Sequence, residues 1–166
     1  MKFFLAVATT AFWLTLCVPA QAQDDAAEAK RLSASANLRP IAASPVSSEI
    51  RVWRTETLVS PAEGWVITSD KIVFYSGRGP ALRPTAIFRT LKAGDILRAF
   101  NRMSRYNGQR LSCSRMKDGW GLVVEGVGPS KPFVFSASTP NLCTAGGARD
   151  VWLAYSSLID ATGQAL

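Results

Sequence analysis

The chemistry that this sequence could support is limited first by the amino acid that it lacks. The 166 residues contain no histidine, which excludes Ser-His-Asp and Cys-His catalysis because both use an imidazole as the general base. The three cysteines of the sequence, two of them after the predicted signal cleavage, are too few to complete a four-coordinate zinc site without histidine. The sequence also lacks the Asp-x-Asp-x-Asp-Gly pattern of a calcium-binding loop. We therefore predict neither a metal nor a cofactor.

Paired carboxylates are the remaining route to hydrolysis, since two acids can act as acid and base on a glycosidic bond. Asp118 and Glu125 flank one predicted strand, and Glu56 and Glu63 flank a predicted turn, but the spacing selects neither pair. Tryptophans could stack on a sugar, although core packing is the commoner use of such large apolar side chains; these are Trp53, Trp65, Trp120 and Trp152. A small carboxylate-dependent hydrolase stays an alternative to a non-enzymatic role.

A basic segment is the feature that departs most from an ordinary charge distribution. Eight Lys or Arg residues lie between positions 89 and 117, and Asp95 is the only acid among them. A field of that sign attracts polyanions. Arginine also keeps helix surfaces soluble, so a solvated face is the alternative interpretation. The candidate polyanion ligands are Arg98, Arg102, Arg105, Arg110 and Lys117.

Two helices are predicted to position these residues. In 93–106 the apolar residues Ile96, Leu97, Phe100 and Met103 recur at helical spacing, which predicts an amphipathic helix with its arginines on another face. A terminal helix is predicted over 148–161, where the apolar residues are again spaced by three or four; they are Val151, Tyr155, Leu158 and Ile159.

The remaining patterned segments predict strands. Residues 50–59 alternate in polarity, which is typical of a strand with one face in water. Short apolar runs around Ser69-Asp70 predict one hairpin, and 120–125 with 132–137 predict another; 85–90 is a further strand. The fold class that follows is α+β, an antiparallel sheet of about five to six strands covered on one face by two helices.

The first 22 residues have the order of a secretory signal. Lys2 is followed by the uncharged apolar stretch 3–18 and by Ala20-Gln21-Ala22, the small-x-small pattern of a cleavage site. We expect cleavage after Ala22. Residues 23–48, rich in Ala, Ser and Pro, predict a flexible linker; a single domain then covers 49–161 and a short tail 162–166.

Two cysteines, Cys113 and Cys143, remain after such cleavage. In an oxidising compartment an even pair predicts a disulfide. A secreted inhibitor that presents the tethered loop 138–147 is therefore a further alternative.

The combined interpretation is a secreted or periplasmic, non-enzymatic binding module with a basic surface. Its expected partner is an anionic component of the cell envelope or an acidic protein surface. Export argues against nucleic acid, and no transmembrane segment is expected once the signal is removed.

Overall fold

The computed structural model describes residues 20–44, 48–55, 62–77, 81–112, 120–127 and 131–163. The helices are α1 (Ala20–Ser35), α2 (Lys92–Arg102) and α3 (Gly146–Thr162). The strands are β1 (Glu49–Arg54), β2 (Ala62–Ile67), β3 (Ile72–Gly77), β4 (Arg83–Phe88), β5 (Arg110–Leu111), β6 (Gly121–Val127) and β7 (Pro132–Ser138). Short 3-10 turns lie at Ile41–Ala43, Met103–Tyr106 and Pro140–Leu142. Among the described residues, none of the helices combines the length and the apolar character of a membrane-spanning segment.

The strands form one seven-stranded sheet in the order β4-β3-β2-β1-β6-β7-β5. Both predicted hairpins are present, β2 with β3 and β6 with β7, and both are antiparallel. The first closes tightly at Ser69-Asp70, where the Thr68 amide donates to the Lys71 carbonyl at 3.0 Å. The α+β class is therefore confirmed.

The predicted number and direction of strands were wrong at one edge of the sheet. β5 pairs with β7 in parallel, which makes the sheet mixed. After α2 the chain reverses at Gly108, whose φ of 73° suits glycine. The Gly108 amide then bonds the Val134 carbonyl at 2.8 Å, and this bond brings the chain alongside β7. A strand of two residues is too short to show any alternation in the sequence.

One face of the sheet carries the larger hydrophobic core, under α2 and α3. The apolar residues predicted on the helix over 93–106 are all buried there, on α2 and on the 3-10 turn that continues it from Met103; they are Ile96, Leu97, Phe100 and Met103. Val151, Tyr155 and Leu158 of α3 are also buried in this core, while Ile159 is partly buried against it. Trp65 and Ile67 of β2 meet them from the sheet. The prediction of two helices on one face is confirmed.

The opposite face is covered by α1, which corrects the prediction of a flexible linker over 23–48. Ala29, Leu32 and Ala36 are buried against Trp53, Val66 and other residues of this face. They are spaced by three and four, as one side of a helix requires. The composition of 23–48 predicts a linker because it has few large apolar side chains, and Leu32 is the one such side chain on the buried side of α1. The small alanines on that side instead let the helix backbone approach the sheet closely.

Gly64 makes room for Trp53 on this second face. A β-carbon at Gly64 would overlap the six-membered ring of Trp53, the residue that faces it across β1 and β2. Trp53 can therefore lie flat across the neighbouring strand, where it is fully buried. Trp53 and Trp65 are in different cores on the two faces of the sheet, so these two tryptophans pack in the cores and do not form one sugar-stacking surface.

Candidate functional site

A buried ion cluster lies under α1, formed by Glu49 and Arg51 of β1 and Glu125 of β6. Glu49 and Arg51 are two residues apart and so project from the same face of β1. Arg51 is directly opposite Glu125 in the β1–β6 register. All three side chains are at most 8% exposed. With two carboxylates and one guanidinium, the buried ion cluster has a formal charge of −1.

Arg51 is held by four acceptors. Its Nε donates to Glu49 Oε1 at 2.6 Å, and its Nη1 donates to Ser33 Oγ at 3.0 Å and to the Arg39 carbonyl at 2.8 Å. A longer contact of 3.5 Å joins Nη1 to Glu125 Oε1. Because Ser33 and Arg39 belong to α1 and the chain just after it, the buried ion cluster connects this segment to the sheet.

The two carboxylates of the cluster also accept bonds from neutral groups. Glu125 Oε1 accepts from Ser33 Oγ and, at 3.2 Å, from Trp53 Nε1. Glu49 Oε2 accepts from Ser44 Oγ at 2.7 Å. Burial raises the pKa of nearby Tyr75, with Arg51 opposing that rise and Glu49 adding to it. Paired and hydrogen-bonded charges of this kind can remain buried, whereas burying a charge without such partners is costly.

This cluster is not evident from the sequence, because the alternation over 50–59 is typical of a strand with one face in water. Glu49, Arg51 and Trp53 do alternate with Ile50 and Val52, but α1 covers the polar side. The signal that was available is Trp53, a large aromatic residue on the side otherwise occupied by charges. A tryptophan whose indole N–H reaches a buried acceptor is typical of a covered face.

A pocket of about 240 Å³ opens beside the buried ion cluster. Its walls come from α1, the turn at Ile41–Ala43 and strands β6 and β7, and Glu125 lies on them. The lining is otherwise mostly apolar, and it includes Ala26, Ala29, Pro40, Ile41, Phe133 and Val134. Pockets that take small molecules combine apolar walls with a few placed polar groups in this way. We refer to it as the α1 pocket.

The predicted polyanion ligands lie elsewhere, on the solvent side of α2 and just after it. Arg98, Arg102, Arg105 and Arg110 are all exposed. Arg98 pairs with Asp95 on the same helix, and Arg105 donates to Asp150 of α3 at 3.1 Å. Lys117 lies outside the described residues.

Tyr106 helps to hold Arg105 in place. The Arg105 guanidinium lies over the Tyr106 ring, 4.9 Å from its centroid, and donates to the Tyr106 hydroxyl at 3.0 Å. That hydroxyl donates in turn to Asp150 Oδ2 at 3.1 Å. The hydrogen bond to Tyr106 raises the pKa of Arg105, with smaller contributions in the same direction from Asp150, so Arg105 stays cationic.

The predicted carboxylate pairs are not brought together as catalytic pairs among the described residues. Glu125 belongs to the buried ion cluster, and Glu63 accepts from Arg54 at 3.1 Å. Their predicted partners Asp118 and Glu56 lie outside the described residues. Within the described ranges, no three His, Cys, Asp or Glu side chains form a group that could hold a metal ion.

Cys143 is buried. Its predicted partner Cys113 lies outside the described residues, so the pairing of the two stays a prediction. In the loop 138–147, Thr139 and Pro140 are buried and Leu142 is half exposed, so only part of this loop is available to a protease or other partner.

No protein-family model matches the chain, and no curated protein matches it.

Proposed function

We propose that this chain is an exported, non-enzymatic binding module, and that the solvent side of α2 binds a polyanion of the cell envelope or the surrounding medium. The observation that carries the proposal is the position of Arg98, Arg102 and Arg105. All three are exposed on a helical segment whose other side is fixed in the core. Arg110 extends the same charge beyond the segment.

The charges on this side of α2 are only partly neutralised. Asp95 and Asp150 offset Arg98 and Arg105. Arg102 bonds a backbone carbonyl, that of Arg98, at 3.4 Å, and no carboxylate of a described residue pairs with it. Like charges one turn apart repel by a few tenths of a kcal/mol. A polyanion would relieve that repulsion and accept bidentate bonds from the guanidinium groups.

The experiment is a triple Arg98/Arg102/Arg105→Gln variant, because glutamine is also a good helix former. Each basic residue near an anionic lipid surface contributes roughly 1 kcal/mol. We therefore expect binding to vesicles of anionic lipid to weaken by on the order of a hundred-fold at low salt. Added salt screens the charges, so it should reduce the difference in vesicle affinity between the variant and wild type.

A control variant loses the same net charge from other exposed positions, Arg39, Arg83 and Lys131→Gln. It should bind nearly as well as wild type. Equal weakening of both variants would mean that net charge alone matters, and unchanged binding by the folded α2 variant would leave its arginines as a solubilising surface. Either result would overturn the proposed site.

Export is part of the same proposal and rests on residues 1–22. The intact mass of the protein recovered outside the cytoplasm should correspond to a chain that begins at Gln23. Cleavage there would place Asp24 and Asp25 in the first turn of α1, where negative charge interacts favourably with the helix dipole. Recovery of a chain that keeps the apolar run would contradict this part of the proposal.

A further inference from the structure

The wall of the α1 pocket includes Glu125, a carboxylate of which one oxygen accepts no hydrogen bond from a described residue. Glu125 is 4% exposed. Its hydrogen bonds from Ser33, Arg51 and Trp53 all go to Oε1. No described residue donates to Oε2. A buried carboxylate oxygen normally accepts hydrogen bonds, so the free oxygen is a site for a donor that enters the pocket.

The charge around the α1 pocket favours a cationic donor. Glu49, Glu125 and Asp25 are buried carboxylates on the sheet face that α1 covers, and Arg51 is the buried cation among them. The formal sum of these four groups is −2, and of the four only Glu125 lines the pocket itself. Asp25 accepts from Ser136 at 2.7 Å, a neutral partner that leaves its charge unbalanced. Lys30 also lines the pocket but is exposed, and a lysine can extend its ammonium group into solvent.

The walls favour a compact hydrocarbon body for the part of the ligand that contacts them. They are formed largely by alanine, proline, isoleucine, valine and phenylalanine side chains. At roughly 30 Å³ per water molecule, the volume of about 240 Å³ equals about eight waters. This is room for a single ring with a short substituent and is below the usual range for larger ligands.

We propose that the α1 pocket binds a small organic ammonium ion, whose N–H group donates to Glu125 Oε2 and whose hydrocarbon body contacts the apolar walls. The ligand is of a different chemical class from the polyanion proposed for α2, and the two sites share no residue. A charge-assisted bond in a buried site is stronger than a neutral one, so the positive charge should contribute to affinity as well as the apolar contact.

The first experiment compares three probes of nearly equal size by calorimetry at neutral pH, using the whole chain: benzylammonium, benzyl alcohol and benzoate. We expect benzylammonium to bind roughly ten-fold more tightly than benzyl alcohol, and benzoate to bind most weakly. Equal affinity for the three probes, or no heat of binding for benzylammonium at millimolar concentration, would overturn the proposal.

The second experiment locates the site with a matched pair of variants on α1. Ala26 is exposed and lines the pocket, whereas its neighbour Ala27 is exposed and does not. We expect Ala26→Phe to fill the entrance and reduce benzylammonium binding at least roughly ten-fold. Ala27→Phe should leave it unchanged. Equal effects of the two substitutions would place the binding elsewhere and contradict the proposal.

A third variant tests the named oxygen. Glu125→Gln should keep the shape of the side chain and lose the preference for benzylammonium over benzyl alcohol. A folded variant that retains the preference would overturn the role of Glu125. If this variant does not fold, the Ala26 and Ala27 pair and the probe series still decide the proposal. The triple arginine variant of α2 should bind benzylammonium like wild type, so failure of one proposal is distinguishable from failure of the other.

Discussion

Arg51 is the cation that compensates the charges of two buried carboxylates, Glu49 and Glu125. It bonds Glu49 closely and approaches Glu125, and α1 seals all three from solvent. Replacing a whole buried ion cluster by apolar residues can be neutral or even stabilising, because desolvation offsets the attraction between the charges. Removing one partner is different, because the remaining charges stay buried without compensation.

We expect Arg51→Met to lower the free energy of unfolding by roughly 3 to 5 kcal/mol, measured by urea denaturation. The control is Arg31→Met. Arg31 pairs with Glu28 on the surface of α1 with its side chain 54% exposed, and such pairs contribute less than about 1 kcal/mol. A loss at Arg51 no greater than that at Arg31 would mean that the buried carboxylates are hydrated or protonated when the cation is absent.

The burial of Tyr155 can be tested by measuring how stability depends on pH in the alkaline range. Burial raises the pKa of Tyr155 to about 12 from 10.0, and nearby Arg54 acts in the opposite direction. The folded state therefore keeps the phenol proton more tightly than the unfolded state. The resulting stabilisation is fully present below about pH 10 and is lost as pH rises through about 12.

We expect the free energy of unfolding of wild type to fall more steeply between about pH 10 and 12 than that of Tyr155→Phe. At neutral pH the same variant should differ little from wild type, because the buried hydroxyl makes no hydrogen bond of ordinary geometry with a described residue, although Arg54 lies near enough to lower its pKa. Denaturant curves collected across the alkaline range measure both effects. Parallel curves for the two proteins would show that Tyr155 ionises freely in the folded state.

At the scale of elements, the sequence predicted those parts whose apolar residues are large and regularly spaced. Ile96, Phe100 and Met103 made α2 recognisable, and the apolar runs around Ser69-Asp70 made the first hairpin recognisable. The signal for α1 was weak because its buried side consists mostly of alanines and is completed by polar contacts from Asp25 and Ser33. Hydrogen bonds between residues far apart in the chain leave no periodic pattern in a sequence.

The α1 pocket and the buried ion cluster were unpredictable for the same reason. Both require α1 to cover β1 and β6, so a sequence interpretation that leaves α1 as a linker also leaves Arg51 and Glu125 in water. The position of the α2 arginines, in contrast, followed directly from helical spacing.

Leu32 tests whether α1 belongs to the folded domain. It is 1% exposed, and removing a buried leucine side chain typically costs about 2 to 5 kcal/mol. We expect Leu32→Ala to lower the free energy of unfolding by about that amount, which denaturant unfolding would show as a lower midpoint concentration. Leu153→Ala in α3 is the control, because Leu153 is 51% exposed. Equal midpoints for the two variants would restore the interpretation of residues 23–48 as a linker.

At the scale of the whole molecule, the two faces of the sheet are stabilised in different ways. Under α2 and α3 the core is apolar and rich in aromatic contacts, such as Trp65 with Tyr155 at 5.4 Å between ring centroids. Under α1 the buried contacts include charges and hydroxyl groups. The apolar face should therefore provide most of the driving force for folding, while the polar face provides contacts that depend on geometry.

The predicted disulfide between Cys113 and Cys143 also concerns the whole molecule, because it would join the segment after the basic helix to the loop before α3. Peptide mapping without reduction should recover the Cys113 and Cys143 peptides as one species. Reduction should lower the free energy of unfolding by roughly 3 to 4 kcal/mol for a loop of this size. Recovery of Cys113 as a free thiol from freshly isolated protein would contradict the pairing.

The bonds that Asp25 and Ser33 of α1 make to β7 and β6 have a geometric consequence. Asp25 bonds Ser136 on β7, and Ser33 bonds Glu125 on β6. These helix positions are eight residues apart, or about 12 Å along the axis. A slide of one residue would turn the helix by about 100° and break both bonds at once. Buried alanines alone would tolerate several neighbouring positions of α1 on the sheet. These bonds fix α1 in a single register, because a slide along the helix axis or a rotation about it would break them.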